Sequence, residues 1–121
     1  MMNNETLDIA ALKRLLKVIG GDLADLRELV DDFLDEAPRL SAAILRATAE
    51  GDRDALRVAS HTLKSNARDF GAMRLSGLCS LLENDCRAER PLDASVAAEE
   101  IVQEQVLVCD ALGGIALDAL A

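Results

Sequence analysis

Tryptophan and tyrosine are absent from this chain, and phenylalanine occurs only twice in 121 residues. So few aromatics leave little to stack on nucleobases and little to fill a strand-rich core. Proline is also scarce, with two copies, and loop signals are few. What dominates instead is alanine and leucine, the composition of helices. Positive charge is in the minority: 13 bases against 22 acids give a net charge of −9, which repels nucleic acid and anionic membrane surfaces. No uninterrupted apolar stretch approaches the length of a membrane span, and Met1-Met2-Asn3-Asn4-Glu5 lacks a charged-then-apolar secretory pattern. A cytoplasmic protein with neither a nucleic-acid nor a membrane partner is therefore expected. Without a secretory route, the glycosylation-like Asn4-Glu5-Thr6 is a chance match. The three cysteines are an odd set with no Cys-x-x-Cys. Cys79 and Cys86 stand two helical turns apart, too far for a disulfide, so all three read as small core residues. A single histidine makes a metal site improbable, and no Gly-x-x-x-x-Gly-Lys loop is present to hold ATP.

Five amphipathic segments follow one another. Asp8 caps a short helix with Ile9, Leu12, Leu15, Leu16 and Ile19 on one face, and Gly20-Gly21 ends it. Asp22 caps the next. There Leu26, Val30, Phe33, Ala37, Leu40, Ile44 and Ala47 hold one phase through Pro38, which predicts a single helix from about Leu23 to Glu50, bent at the proline. Its first half carries a solvated acidic face. Gly51-Asp52 is a stop followed by a cap, and a third helix runs to about Phe70. Leu75, Leu78, Cys79, Leu82 and Cys86 mark a fourth, ending before Pro91. A fifth extends to about Leu112. Its apolar arc of Ala97, Ile101, Val102, Val106, Val108, Cys109 and Leu112 is broad, as for a helix wedged between two neighbours. Residues 115–121 carry no assignment. Four long helices with short connections predict an all-α, antiparallel up-down four-helix bundle with a short extra N-terminal helix, one domain over 1–121 with its core at about 7–112.

The only histidine lies in the third segment. Leu56, Ala59, Leu63 and Phe70 form its core stripe, with Asn66 at the edge. His61 points almost opposite, beside Arg57, Lys64, Ser65 and Arg68 at helical-neighbour offsets, so the imidazole is expected in water among three cations. An ordinary imidazole has a pKa of about 6.5 and is a good nucleophile when neutral. Phosphoryl transfer needs in-line access and positive charge near the equatorial oxygens, which Lys64 can supply, Arg57 and Arg68 can extend, and the Ser65 hydroxyl can supplement. No metal-binding carboxylate stands near His61 in this pattern.

His61-Thr-Leu-Lys64 followed by small polar residues, with Phe70-Gly71-Ala72 ten residues after the histidine, resembles the signature of the histidine-containing phosphotransfer (HPt) domain. The likeness extends over roughly residues 7 to 90, through Asp31-Asp-Phe-Leu-Asp-Glu-Ala-Pro-Arg39 and Arg74-Leu-Ser-Gly-Leu-Cys-Ser-Leu-Leu-Glu83. Ser65 stands where many members carry glycine and Asp69 where asparagine is common. The resemblance implies the same bundle, a phosphoryl group carried on His61, and Lys64 as its helper. Ser65, Arg57, Arg68, Thr62 and Gly71 join the phosphate- or partner-contacting positions, although glycine at 71 also suits backbone geometry alone. It implies a response-regulator receiver domain or hybrid histidine kinase as partner, with Mg²⁺ on the receiver, no cofactor on this chain and a monomeric carrier that is not itself an enzyme. Two other readings fit the same residues: a receiver-binding adaptor that is never phosphorylated, and the phosphorylatable domain of a larger chemotaxis-type histidine kinase.

Overall fold

The computed structural model describes residues 6–88 and 90–121, so the Asn4 sequon lies outside the described residues. Five α-helices follow in order: α1 (Ile9–Val18), α2 (Leu23–Glu50), α3 (Arg53–Asp69), α4 (Met73–Arg87) and α5 (Ser95–Gly113). There is no strand among the described residues. The boundaries are written in capping chemistry. Asp8 accepts from the Ala10 amide at 3.0 Å, Asp22 from Ala24 at 2.8 Å and Asp52 from Ala55 at 3.0 Å, each satisfying an otherwise orphaned amide of a first turn. Gly51 closes α2 in the left-handed region at φ +66°. α2 runs unbroken through Pro38, because the apolar stripe on either side of it is anchored in one core.

Helices α2, α3, α4 and α5 pack each against the next, and α5 returns to α2. The short connections make consecutive neighbours antiparallel, which closes a four-helix bundle. Its core is built from Leu26, Val30, Ile44, Leu63, Leu75 and Leu82, among others, all essentially excluded from solvent. Helix α1 lies against α2 and α3 and buries Leu12 and Leu16. The tail that carried no assignment forms a short 3₁₀ turn, Leu117–Leu120, which packs on α1 and α2 and extends the core beyond residue 112 through Leu117 and Leu120. Helix α5 departs from its expected arc. Val106 is 49% exposed, whereas Glu104 and Gln105 are buried. The buried arc centres near Ile101, about 140° from Val106. Glu104 is accommodated by Arg74 of α4 at 3.2 Å, and Gln105 donates to Cys109 Sγ at 3.2 Å. Cys79 and Cys86 are buried and Cys109 is half-buried, and burial pushes the Cys79 thiol up to about 12. That thiol is therefore protonated and unreactive at neutral pH.

Two contacts fix α3 and α4, which carry the histidine site. At the first residue of α3, the Arg53 guanidinium donates to the carbonyls of Asp85, Cys86, Ala88 and Arg90 at 2.6–3.3 Å. Carbonyls left open at the end of α4 thus find a charged donor from the neighbouring helix. At the opposite end Gly71 turns the chain at φ +79°, and its carbonyl accepts from the Asp8 amide at 2.8 Å. A Cβ on Gly71 would stand 2.5 Å from the Asp8 carbonyl oxygen. Gly71→Ala is thus expected to cost on the order of 2–3 kcal/mol, from a strained left-handed residue and displacement of the start of α1. Urea unfolding measures this, and an unchanged midpoint would mean that the turn does not pin α1. Gly71 is itself buried, which removes it from the phosphate- or partner-contacting set: its role is backbone geometry.

Candidate functional site

Leu56, Ala59, Leu63 and Ala67 turn one face of α3 into the core, which leaves His61 on the outer side with its side chain 53% exposed. The ring is not simply among cations in water. Its Nδ1 lies 2.8 Å from Glu83 Oε2 on α4, and Glu83 is only 3% exposed. The expectation of an imidazole standing in water with only cations beside it is thus corrected. It failed because the two residues are 22 positions apart and meet only through the α3–α4 pairing.

Glu83 is the hub of the cluster. Lys64 Nζ lies 2.6 Å from its Oε1, and Arg87, one turn further along α4, reaches Oε2 at 2.8 Å. The carboxylate is buried, and three donors occupy its two oxygens. The hydrogen bond from Lys64, reinforced by that from His61, overcomes the burial penalty and holds the Glu83 carboxyl below its ordinary value. The sign of the linkage follows. A carboxyl depressed in the folded state adds stability above its unfolded value of about 4.3, and that stability drains away as pH falls through the lower folded value. Glu83→Gln is expected to lose on the order of 1–2 kcal/mol at pH 7 and to show a flatter fall in stability below pH 4.3. Urea titrations at pH 7 and pH 3 test this, and identical acid dependence in both proteins would contradict it.

An acceptor-only carboxylate on Nδ1 determines the tautomer of the ring. In the neutral ring Nδ1 then carries the proton and donates it to Glu83, which leaves the lone pair on Nε2. Among the described residues Nε2 has no partner, on a ring that is half exposed. The result is a fixed imidazole with its nucleophilic nitrogen free.

The other expected residues fall into different places. Lys64 is not on the solvent face but 23% exposed, with its ammonium drawn onto Glu83 beside the ring. Arg57 is tied to Asp54 at 2.8 Å. Arg68 is exposed and makes no ion pair among the described residues. Thr62 donates its hydroxyl to the Val58 carbonyl at 3.1 Å, which leaves a small surface feature next to the histidine. Ser65 is half-buried, one turn from His61. Asn66 lines a groove between α2 and α3 with Phe33 and Phe70. Lys64, Arg87, Arg57 and Arg68 against Glu83 and Asp54 leave an excess of two positive charges around the ring. Arg87, like Glu83, was not anticipated as part of this site.

The sequence profile of the Hpt domain matches residues 28–116, most of the chain. The chain belongs to the Hpt domain family. Among solved structures, it is similar to histidine-containing phosphotransfer protein B (HptB) from Pseudomonas aeruginosa PAO1, at 26% identity and a TM-score of 0.80, covering 89% of this chain and 91% of that one. It is also similar in fold to the HPT domain from the Hpt sensor hybrid histidine kinase from Shewanella. There the identity is 20% and the TM-score 0.75, over 92% of this chain and 93% of that one. No curated protein matches the chain in sequence. An Hpt domain is a histidine phosphotransfer carrier of phosphorelays, and the helical bundle with one outward histidine is the architecture it requires.

Proposed function

We propose that His61 is the phosphoryl acceptor of this Hpt domain, that its Nε2 is the attacking atom and that Glu83 positions the ring. The carrying observation is the 2.8 Å contact between His61 Nδ1 and the buried Glu83 carboxylate. In the transfer step Nε2 attacks the phosphorus of a receiver's aspartyl phosphate. The Nε2–P bond forms as the P–O bond to the aspartate breaks, and the aspartate leaves as a carboxylate with the bonding pair. The ring, now bonded at Nε2 and still protonated at Nδ1, carries a positive charge that Glu83 offsets. The reverse step returns the group to a receiver. Lys64 supplies positive charge at the equatorial oxygens, with Arg57, Arg68, Ser65 and Thr62 around it. Nothing in the cluster handles a nucleotide, so the chain is a carrier and substrate that is not itself an enzyme. Mg²⁺ and most of the catalytic apparatus belong to the receiver. It acts as a monomer, as one domain over 1–121, and in the cytoplasm. Among the described residues no helix is long and apolar enough to cross a membrane.

Incubation with receiver domains charged by acetyl phosphate tests the proposal. The adduct is expected to be acid-labile and alkali-stable, as a phosphoramidate is, and an adduct of the opposite stability would overturn it. A further expectation concerns the surface beside the ring. Ser65→Glu adds volume and negative charge where an acidic receiver pocket must approach, and should lower both receiver binding and transfer about tenfold. Fluorescence anisotropy and transfer kinetics check it. Silence in both assays would place the dock elsewhere, and with it the adaptor reading would lose its surface.

A further inference from the structure

Glu83 Oε2 meets two donors at once, His61 Nδ1 at 2.8 Å and the Arg87 guanidinium at 2.8 Å. A carboxylate oxygen offers two lone pairs, so this oxygen is saturated. Two donors on one oxygen stand no more than about two hydrogen-bond lengths apart, which fixes a full positive charge beside Nδ1. The Lys64 ammonium occupies the other oxygen. One buried carboxylate thus carries two cations before the ring has any charge.

The backbone that presents Arg87 is fixed as well. Arg87 ends α4, one turn beyond Glu83. The Arg53 guanidinium holds the carbonyls of Asp85 and Cys86 before it and of Ala88 after it. The last turn of α4 is therefore pinned to α3, the helix that carries His61. Reaching Glu83 then costs only the ordering of one side chain.

The need for such a cation follows from the opposite case. An unshielded carboxylate beside an imidazole favours the imidazolium, because opposite charges stabilise each other. With Nδ1 already protonated, the second proton goes to Nε2 and ends its nucleophilicity. A cation on the same carboxylate oxygen neutralises the carboxylate and repels a charged ring. Lys64 acts with the same sign from the other oxygen, but it also serves the equatorial oxygens of the transferring group. Arg57 is tied to Asp54, and Arg68 stands two turns further along α3. No charged group of α1 or α2, the other helices packed on α3, forms an ion pair with His61 among the described residues.

Resting on the assignment of His61 as the acceptor, we propose that Arg87 is a positioning residue that keeps the ring neutral. By sharing Oε2 with Nδ1, it lets Glu83 orient the imidazole without drawing a second proton onto Nε2. The nucleophilic lone pair thereby stays available at lower pH.

Two readouts on the full chain test this, with Arg87→Gln, Arg87→Ala and Arg87→Lys beside the parent. The first is a pH titration of the single histidine by nitrogen-15 NMR, which needs no phosphoryl donor. In the two neutral variants the ring is expected to take up its second proton at a pH higher by roughly half a unit. The step is modest because Arg87 is more than half exposed. It should shrink in high salt, and Arg87→Lys, which retains the charge, should stay closer to the parent. The second readout is the initial rate of labelling by phosphoramidate. There Nε2 bonds phosphorus as the P–N bond to the amino group breaks, and ammonia leaves with the bonding pair. The ratio of neutral-variant to parent rate is expected to fall about threefold from about pH 8.5 to about pH 5.5. Glu83 stays ionised over this range, because its carboxyl is held below its ordinary value. Circular dichroism verifies that the variants remain folded. A residue that only braces α4 would lower the rate by one factor at every pH. That result, or a histidine titration unmoved in both neutral variants, overturns the proposal. Absence of labelling in the parent counts against His61 as the acceptor, whereas the titration decides the role of Arg87 in either case.

Discussion

His61→Gln is expected to accept no phosphoryl group from a charged receiver while remaining folded. The glutamine side chain has no nucleophilic nitrogen, and no second histidine exists to replace the first. The structural cost is small for identifiable reasons. The imidazole is half exposed and lies outside the buried stripe of α3. Glu83 keeps Lys64 and Arg87 as donors, and a glutamine amide can offer a further N–H. The variant should therefore unfold within about 1 kcal/mol of the parent and bind an unphosphorylated receiver nearly as well. Transfer assays with labelled receiver, together with urea unfolding, check both halves. Normal labelling of the variant would remove His61 from the mechanism.

The second large effect concerns Lys64. Its ammonium sits on Glu83 at 2.6 Å, so it both neutralises the hub and stands one turn from the histidine. Lys64→Ala removes a charge-assisted contact to the transferring group worth about 1.5–3 kcal/mol, and transfer should slow by roughly tenfold to a hundredfold. Glu83 is left with His61 and Arg87, both more than half exposed, so the buried carboxylate stays satisfied and the loss of stability is limited to about 1–2 kcal/mol. Rapid-mixing kinetics separate the two consequences. A slower single-turnover step at saturating receiver marks the loss of transition-state charge, and an unchanged step would assign all of it to the receiver.

The fold was readable in the sequence because its determinants are local. The stripe from Leu26 to Ala47 keeps one phase across Pro38, and α2 does run from Leu23 to Glu50. Asp8, Asp22 and Asp52 cap the helices they precede. His61, its outward face and its basic neighbours were legible for the same reason. Glu83 was not, because a periodicity argument sees one helix at a time. A signal did exist: an acid between Leu82 and Cys86 interrupts an apolar stripe, and Glu83 and His61 are equally distant from Ala72, at the α3–α4 turn. Arg53 shows the same limit from another side, since it serves carbonyls more than 30 residues away. Ser41 and Ser60 are buried although serine signals exposure, and Leu117 and Leu120 reach the core from a segment too short to show a period.

The transfer chemistry turns on one ring nitrogen. Nitrogen-15 NMR of the phosphorylated protein, labelled on its single histidine, reports which ring atom bonds phosphorus and which retains a proton. Phosphorus on Nε2, with a protonated Nδ1 whose resonance shifts in Glu83→Gln, is the predicted result. Phosphorus on Nδ1, or on no histidine nitrogen at all, would contradict it.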